Sequence, residues 1–165
     1  SGREKDSTML AMQATSTLIR GLVSTPLGQV HYCDHRPSSS SPPPVAGILL
    51  PLICLHMSPR STDEYLEAGR LLAASGRRVI AIDEPGYGLS DNPSKPCNLH
   101  DIADGVVKVA DELGIARFHV AGSLMGALTS LSLASRYPDR ACALVATHLY
   151  FWPEDQVAKA KEEAA

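Results

Sequence analysis

Apolar residues recur along the chain with two different spacings, and the spacing changes from segment to segment. Short apolar or alternating runs, which are typical of strands, lie at residues 18–24, 29–34, 45–56, 78–83, 118–121 and 142–147. Longer segments with apolar residues three or four positions apart, which are typical of helices, lie at residues 63–75, 98–113 and 124–137. A polar segment rich in Ala, Lys and Glu predicts one more helix at residues 154–165.

The order of these elements predicts an α/β fold with a mostly parallel sheet and helices on both faces. Strand–helix–strand units with short connections are almost always right-handed and parallel. The first two strands are separated only by Thr25-Pro26-Leu27-Gly28, whose proline and glycine suit a tight turn, so we expect an antiparallel hairpin there. Residues 1–17 are predicted to be an N-terminal tail. Residues 36–44, with four serines and three prolines in succession, are predicted to be a solvated surface loop.

Three loops that follow strands carry the candidate chemistry, because ligands of open α/β sheets bind at the carboxyl ends of strands. Their sequences are LHMSP at 55–59, DEPGYGLSD at 83–91 and VAGSLMGA at 120–127. In that order they resemble the α/β-hydrolase fold family, in which L-H-G-x-P, D-x-x-G-x-G-x-S-D and G-x-S-x-G stretches follow the third, fourth and fifth strands. The resemblance covers residues 18–165 and implies a partial domain that stops before the family's last strands, with residues 154–165 as the start of a cap-like helix.

The third loop resembles the family's nucleophile elbow but lacks its nucleophile. Gly122 and Gly126 occupy the two positions where the tight turn needs small residues. The position between them is Leu124, which has no lone pair for attack. Ser123 offers a hydroxyl one residue earlier, but that register would place Met125 where a small residue is needed. The elbow is therefore predicted at these residues, with Ser123 kept as an alternative nucleophile or, more simply, as a structural serine at a helix start.

The first loop carries His56 and Met57 where the resemblance implies a His-Gly pair of an oxyanion loop. The Met57 backbone N–H could still donate a hydrogen bond to an oxyanion. We interpret His56 as a structural histidine bonded within its loop, since no nucleophile pairs with it. The resemblance also places an acid and a catalytic histidine beyond the sixth strand. Within 165 residues only His148 follows that strand closely, and it is not at the family's position, so no triad can be assembled.

Metal and cofactor sites have little support in the sequence. His31, Cys33 and His35 alternate along one predicted strand and would share one face, but three ligands without a fourth make a weak metal site. Gly86-Tyr87-Gly88 lacks the third glycine and the following helix of a dinucleotide fingerprint. We therefore expect neither a metal nor a cofactor.

Cysteine usage indicates a reducing compartment, cytoplasmic or organellar. The four cysteines form no C-x-x-C pair, and Cys54 and Cys142 lie inside apolar runs, which is typical of small buried hydrophobic residues.

Charge and hydropathy exclude two classes of partner. The chain has 15 basic and 18 acidic side chains and a formal net charge of −3, so it offers no basic surface for nucleic acid. The longest apolar run, residues 45–55, is interrupted by Gly47 and Pro51 and is shorter than the ~20 residues of a transmembrane helix.

Three functions remain open. The favoured hypothesis is a degenerate, catalytically inactive member that acts as a scaffold, binding module or subunit of a larger assembly, with a partner or further chain covering the edge of the sixth strand. The second is the N-terminal portion of an ester or acyl hydrolase with an atypical nucleophile such as Ser123. The third is a binder of small apolar ligands, because Met57, Leu124 and Met125 would line an apolar pocket.

Overall fold

The computed structural model describes residues 16–39, 41 and 49–149. Within that part of the chain the strands are β1 (Ser16–Thr25), β2 (Gly28–Pro37), β3 (Leu52–Leu55), β4 (Val79–Ile82), β5 (Phe118–Ser123) and β6 (Ala141–Thr147). The helices are α1 (Leu66–Ala74), α2 (Leu99–Glu112) and α3 (Met125–Arg136), and a 3-10 turn (Thr62–Tyr65) precedes α1.

The six strands form one sheet in the order β1-β2-β4-β3-β5-β6. β2 pairs antiparallel with both β1 and β4, whereas the pairs β4–β3, β3–β5 and β5–β6 are parallel. This confirms the predicted α/β architecture with an antiparallel hairpin at one edge. The parallel order places the carboxyl ends of β3, β4 and β5 side by side, which brings the three loops together.

The hairpin turns at the predicted tetrapeptide. The Thr25 hydroxyl donates to the Gly28 carbonyl at 2.9 Å and accepts from the Leu27 N–H at 3.1 Å. Gly28 has φ +106°, a conformation in which a side chain would be strained, and a Cβ there would lie 2.8 Å from the Asp91 Cβ.

The sheet is covered on both faces, as the alternation of strand side chains requires. On one face Ile53, Leu55, Ile80 and Ile82 pack in a single cluster with Val106, Val109 and Ala110 of α2 and Leu133 of α3. On the other face Cys33, Cys54, Val79 and Ala81 form a smaller cluster against Tyr65 and Leu72. α1 therefore lies on the face opposite α2 and α3.

Several predicted boundaries are corrected by the structure. The apolar run 45–56 forms a strand only over Leu52–Leu55, and residues 49–51 precede it without strand pairing. Arg36 and Pro37 belong to β2 rather than to the surface loop. The 63–75 helix begins as the 3-10 turn, and Ser123 ends β5 instead of starting a helix.

Other predictions lie wholly or largely outside the described residues. These are the N-terminal tail, most of the loop at 36–44 and the helix at 154–165. None of the helices in the described part of the chain has the length and apolarity needed to cross a bilayer. All four cysteines carry free thiols.

Candidate functional site: a nucleophile elbow without a nucleophile

The three loops meet at the carboxyl ends of β3, β4 and β5. The start of α3 lies directly against the loop after β3, since a Cβ on Gly126 would overlap the Leu55 carbonyl and lie 2.7 Å from the His56 oxygen. The loop after β4 joins the same place, because the Glu84 N–H donates to His56 Nε2 at 3.0 Å. The predicted grouping of these loops is thus present in the folded chain.

The elbow between β5 and α3 has the register predicted from its two glycines. A Cβ on Gly122 would overlap the Gly126 carbonyl and lie 2.6 Å from Ser130 Oγ. Ser130 itself donates to the Gly126 carbonyl at 2.7 Å. Backbone therefore packs on backbone across this turn, and neither glycine can be replaced without movement of main chain.

Leu124 occupies the central position of the elbow. Its backbone angles are φ +50° and ψ −109°, a strained combination for a residue with a branched side chain. Its N–H donates to the Thr147 carbonyl of β6 at 3.1 Å, and its carbonyl accepts from Ala127 and Leu128 in the first turn of α3. Met125 follows as the first residue of α3.

Ser123 lies outside the turn, as the last residue of β5 and opposite Thr147 of β6. Side chains alternate along a strand, so Ser123 shares its face with His119 and Ala121, whereas Val120 and Gly122 face α3. The Ser123 hydroxyl is therefore on the side of the sheet away from the helix that begins at the elbow.

His56 is fully buried and both of its ring nitrogens are engaged. Nε2 accepts the Glu84 N–H at 3.0 Å, and Nδ1 lies 2.9 Å from the Met57 carbonyl oxygen. The hydrogen-bond network thus assigns the tautomer with hydrogen on Nδ1. This geometry agrees with the structural role expected for His56 and extends it, because the ring also fastens the loop after β4.

The Met57 N–H, the expected oxyanion donor, is directed to a side chain. It donates to Glu64 Oε2 at 3.0 Å. Glu64 lies seven residues later, in the 3-10 turn that the sequence analysis assigned to a helix. The Glu64 carboxylate therefore accepts the hydrogen bond that the Met57 N–H would give to a substrate oxyanion.

Asp83, the first residue of the loop 83–91, holds this loop in place through several hydrogen bonds. His31 Nδ1 and the N–H groups of Thr62 and Leu89 all contact the carboxylate of the buried Asp83. Ser90 Oγ accepts from the His31 N–H and donates to the Asp83 carbonyl, both within 2.8 Å. These bonds fix the loop to β2.

Sequence reasoning missed two polar groups above the elbow. Ser58 Oγ and Tyr87 Oη lie 2.7 Å apart, and the Tyr87 ring meets the His56 ring edge-to-face at 5.4 Å between centroids. The Gly-Tyr-Gly sequence at 86–88 could have indicated this contact. Both glycines have positive φ, which permits the tight turn that brings the Tyr87 ring onto the loop after β3.

One face of β2 carries His31, Cys33 and His35, as predicted, but each of the three side chains contacts different residues. Cys33 Sγ lies 3.6 Å from Thr62 Oγ1, His31 bonds Asp83, and the His35 ring packs against Gly69 of α1. Burial lowers the pKa of His35. No group of three His, Cys, Asp or Glu side chains within residues 16–39, 41 and 49–149 is placed to hold a metal ion.

Comparison with known proteins agrees with this geometry. The sequence model of the alpha/beta hydrolase fold family matches residues 51–161. A 2-hydroxy-6-oxononadienedioate/2-hydroxy-6-oxononatrienedioate hydrolase of Paraburkholderia phymatum is 40% identical over 136 residues, which are 80% of this chain and 44% of that protein. Epoxide hydrolase B of Mycobacterium tuberculosis is 33% identical over 115 residues, covering 68% of this chain and 32% of the relative.

Solved structures show the same fold. A mutant of the N-acyl homoserine lactonase AidH bound to N-hexanoyl homoserine superposes with a TM-score of 0.63 at 26% identity, over 79% of this chain and 46% of that one. An epoxide hydrolase of Vigna radiata gives a TM-score of 0.68 at 20% identity, over 82% and 42% of the two chains. The chain thus spans less than half the length of these relatives, and it belongs to the α/β-hydrolase fold family.

Proposed function

We propose that this chain is a degenerate α/β hydrolase that carries out no covalent catalysis and acts as a scaffold, binding module or subunit of a larger assembly. The observation that carries the proposal is Leu124 at the elbow. Attack on an acyl or epoxide carbon requires an oxygen, sulfur or nitrogen lone pair, and an aliphatic side chain has none.

Two features of the neighbouring loop support the proposal. The Met57 N–H is bonded to the Glu64 carboxylate, which competes with an oxyanion for the same donor. Both nitrogens of His56 are bonded within the protein, so this ring is not disposed to remove a proton from a substrate.

The test is labelling with a fluorophosphonate probe, which modifies activated serines, in the full natural protein that contains this sequence. An active serine hydrolase in the same reaction serves as the reagent control. We expect no adduct on peptides that contain Ser58, Ser90 or Ser123, and no turnover of a panel of small esters above the uncatalysed rate.

The alternative is that the chain is the N-terminal portion of an ester or acyl hydrolase that uses Ser123. It is favoured by the 40% identity to a protein named as a hydrolase. The two proposals differ in one result: an adduct on Ser123, lost together with esterase activity in Ser123→Ala, would establish the alternative and exclude the inactive scaffold.

We also propose that the outer edge of β6 is covered in the functional protein, either by a partner subunit or by further chain. β6 pairs only with β5 among the described strands, and Val145 is 59% exposed. An uncovered apolar edge of this kind favours aggregation. The native mass of the protein in its source material, with identification of every co-migrating polypeptide, distinguishes the two kinds of cover. A well-behaved monomer of 165 residues alone would contradict both.

A further inference from the structure

A carboxyl group lies buried and unpaired beneath the elbow. Glu84, directly after Asp83, is 1% exposed, and neither of its carboxyl oxygens has a partner at full hydrogen-bond geometry in the described part of the chain, although the Thr129 hydroxyl lies close enough to lower the pKa of this carboxyl. Thr129 of α3 is fully buried, and its Oγ1 is likewise without a partner there. Buried polar groups of folded proteins are almost always paired, so two such groups at one place require an explanation.

Within the described part of the chain, the group that acts electrostatically on Glu84 is a histidine, not a lysine or an arginine. The Glu84 backbone N–H donates to His56 Nε2, and this leaves the imidazole with its hydrogen on Nδ1. Tyr65, from the 3-10 turn, has a pKa raised first by burial and further by neighbouring acidic groups that include Glu84, and its hydroxyl donates to the Leu55 carbonyl at 3.0 Å. No lysine or arginine within residues 16–39, 41 and 49–149 forms an ion pair with Glu84, in contrast to Asp34, which is paired with two arginines.

The charge state of Glu84 follows from this environment. An unpaired carboxylate in an apolar interior is so costly that the group binds a proton instead. The neutral acid gains an O–H donor, which Thr129 Oγ1 can accept, while the second oxygen remains an acceptor for the threonine hydroxyl. Protonation therefore removes the charge, whereas the ionised group would keep its charge in an apolar interior with only the Thr129 hydroxyl to stabilise it.

We propose that Glu84 is an internal proton-binding site, held as a neutral carboxylic acid that joins the end of β4 to α3 beneath the elbow. This inference is independent of the proposed function, since it concerns the interior of the domain and holds for an active or an inactive elbow.

The expected pH dependence has a definite sign. Burial raises the pKa of Glu84, while the Thr129 hydroxyl and His56 act in the opposite direction with smaller effect. A carboxyl group whose pKa is higher in the folded state contributes stability below its ordinary pKa of 4.5, and that contribution is lost as pH rises towards the folded-state pKa.

Two measurements on the full natural protein test the proposal. The first is carboxyl ¹³C NMR of glutamate-labelled protein, with the Glu84 signal assigned through Glu84→Gln. We expect this signal to titrate well above pH 4.5. The second is the unfolding equilibrium as a function of pH. Relative to Glu84→Gln, which mimics the neutral acid, the wild-type equilibrium should shift towards unfolding by about tenfold per pH unit between 4.5 and the observed midpoint.

Glu67→Gln is the matched control. Glu67 is exposed on α1, and its hydrogen bond to Arg70 lowers its pKa. Its contribution to folding stability therefore has the opposite pH dependence: it is constant above pH 4.5 and is lost as the pH falls below 4.5. The ratio of unfolding constants between this variant and wild type should therefore be flat above pH 4.5. Thr129→Val supplies a second variant, in which removal of the hydroxyl that stabilises the charged form should raise the Glu84 midpoint further.

Either of two results would overturn the proposal. One is a Glu84 carboxyl that titrates at or below pH 4.5, which would mean that water or a bound cation stabilises the carboxylate. The other is a Glu84→Gln variant whose stability differs from wild type by the same factor at every pH. If Glu84→Gln fails to fold, through-bond correlation of the side-chain carboxyl carbon with the Glu84 backbone assigns the signal in the wild-type protein, and its titration alone decides the matter.

Discussion

Gly122 and Gly126 determine the shape of the elbow by the space that they leave for main chain. Carbonyl groups of Gly126 and Leu55 occupy the positions that a methyl group would need. The side chain at the centre of the turn takes no part in these contacts. The strained conformation of Leu124 is thus imposed by its neighbours, which is how strained residues persist in folded proteins.

Alanine substitution should reduce folding stability at these two glycines but not at an ordinary helical glycine. Gly122→Ala and Gly126→Ala are each expected to destabilise the protein by about 3 kcal/mol or more, because main chain must move to admit the methyl group. Gly105→Ala is the control, since a Cβ there meets nothing within 4 Å in α2, and it should stabilise by about 1 kcal/mol. Urea denaturation measures all three, and equal effects at the three sites would contradict the assignment of the elbow.

The strain at Leu124 can be measured by comparing two truncations. Leu124→Gly and Leu124→Ala both remove the isobutyl group, but only glycine adopts φ +50° and ψ −109° without cost. We expect the glycine variant to be the more stable by about 1–3 kcal/mol. Alanine more stable than glycine in urea denaturation would show that the conformation is unstrained.

At the scale of elements, a buried charge joins the antiparallel and parallel parts of the sheet. Asp34 of β2 is fully buried and accepts from Arg78, just before β4, through Nε at 3.0 Å and Nη2 at 2.8 Å. Arg36 donates to the same carboxylate at 2.7 Å. The pairing of β2 with β4 therefore depends on a charge that cannot reach water.

Removal of Arg78 should be costly because it leaves this charge only partly compensated. Arg78→Met is expected to destabilise the protein by about 3 kcal/mol, and by much less when Asp34 is already leucine. Lys108→Met is the control, since its pair with Glu112 is exposed, and it should change stability by no more than about 0.5 kcal/mol. A double-mutant cycle by urea denaturation gives the coupling, and additivity of the two changes would refute the argument.

The fold could be predicted because hydrophobic spacing distinguishes strand from helix, and the elbow could be placed because only small residues fit Gly122 and Gly126. The length of β3 could not be predicted, because a continuous apolar run contains no periodicity that marks where strand pairing begins or ends. The bond between the Met57 N–H and Glu64 was also beyond reach of the sequence. It depends on the path of the chain through the 3-10 turn, and capping and turn geometry leave no trace in a hydrophobic pattern. The burial of Glu84 was hidden for the same reason, because acids after strands are usually exposed.

At the scale of the whole molecule, β6 has side chains exposed on one face of the sheet within the described part of the chain. Its side chains alternate, so that Leu144 packs on the core shared with α2 and α3 whereas Ala143, Val145 and Thr147 are exposed on the opposite face. Among the described residues, α1 packs on that face over β1, β2 and β4, and the cluster that includes Leu72 extends to β3 and β5. Within the described residues, β6 is therefore left exposed on this face.

Lysine at position 145 reports whether β6 is covered in the full natural protein. If a partner or further chain packs there, Val145→Lys should destabilise the protein or complex by about 1–3 kcal/mol, because the ammonium group would be buried or the interface lost. Leu71→Lys, at a site of α1 that is 48% exposed, should stay within about 0.5 kcal/mol of wild type. A neutral Val145→Lys in thermal and urea denaturation would mean that the face is open to water.

The backbone contacts at the elbow also bear on how such a chain can change over generations. Gly122 and Gly126 contact main chain of Gly126 and Leu55 rather than the Leu124 side chain, so we expect the same turn to accept a hydroxyl in place of the isobutyl group without changes elsewhere in the fold. Some codons for leucine and serine differ by a single nucleotide. On the proposed function, exchange of serine for leucine at position 124 is therefore one mutational step between two folded proteins, with no unfolded intermediate for selection to remove.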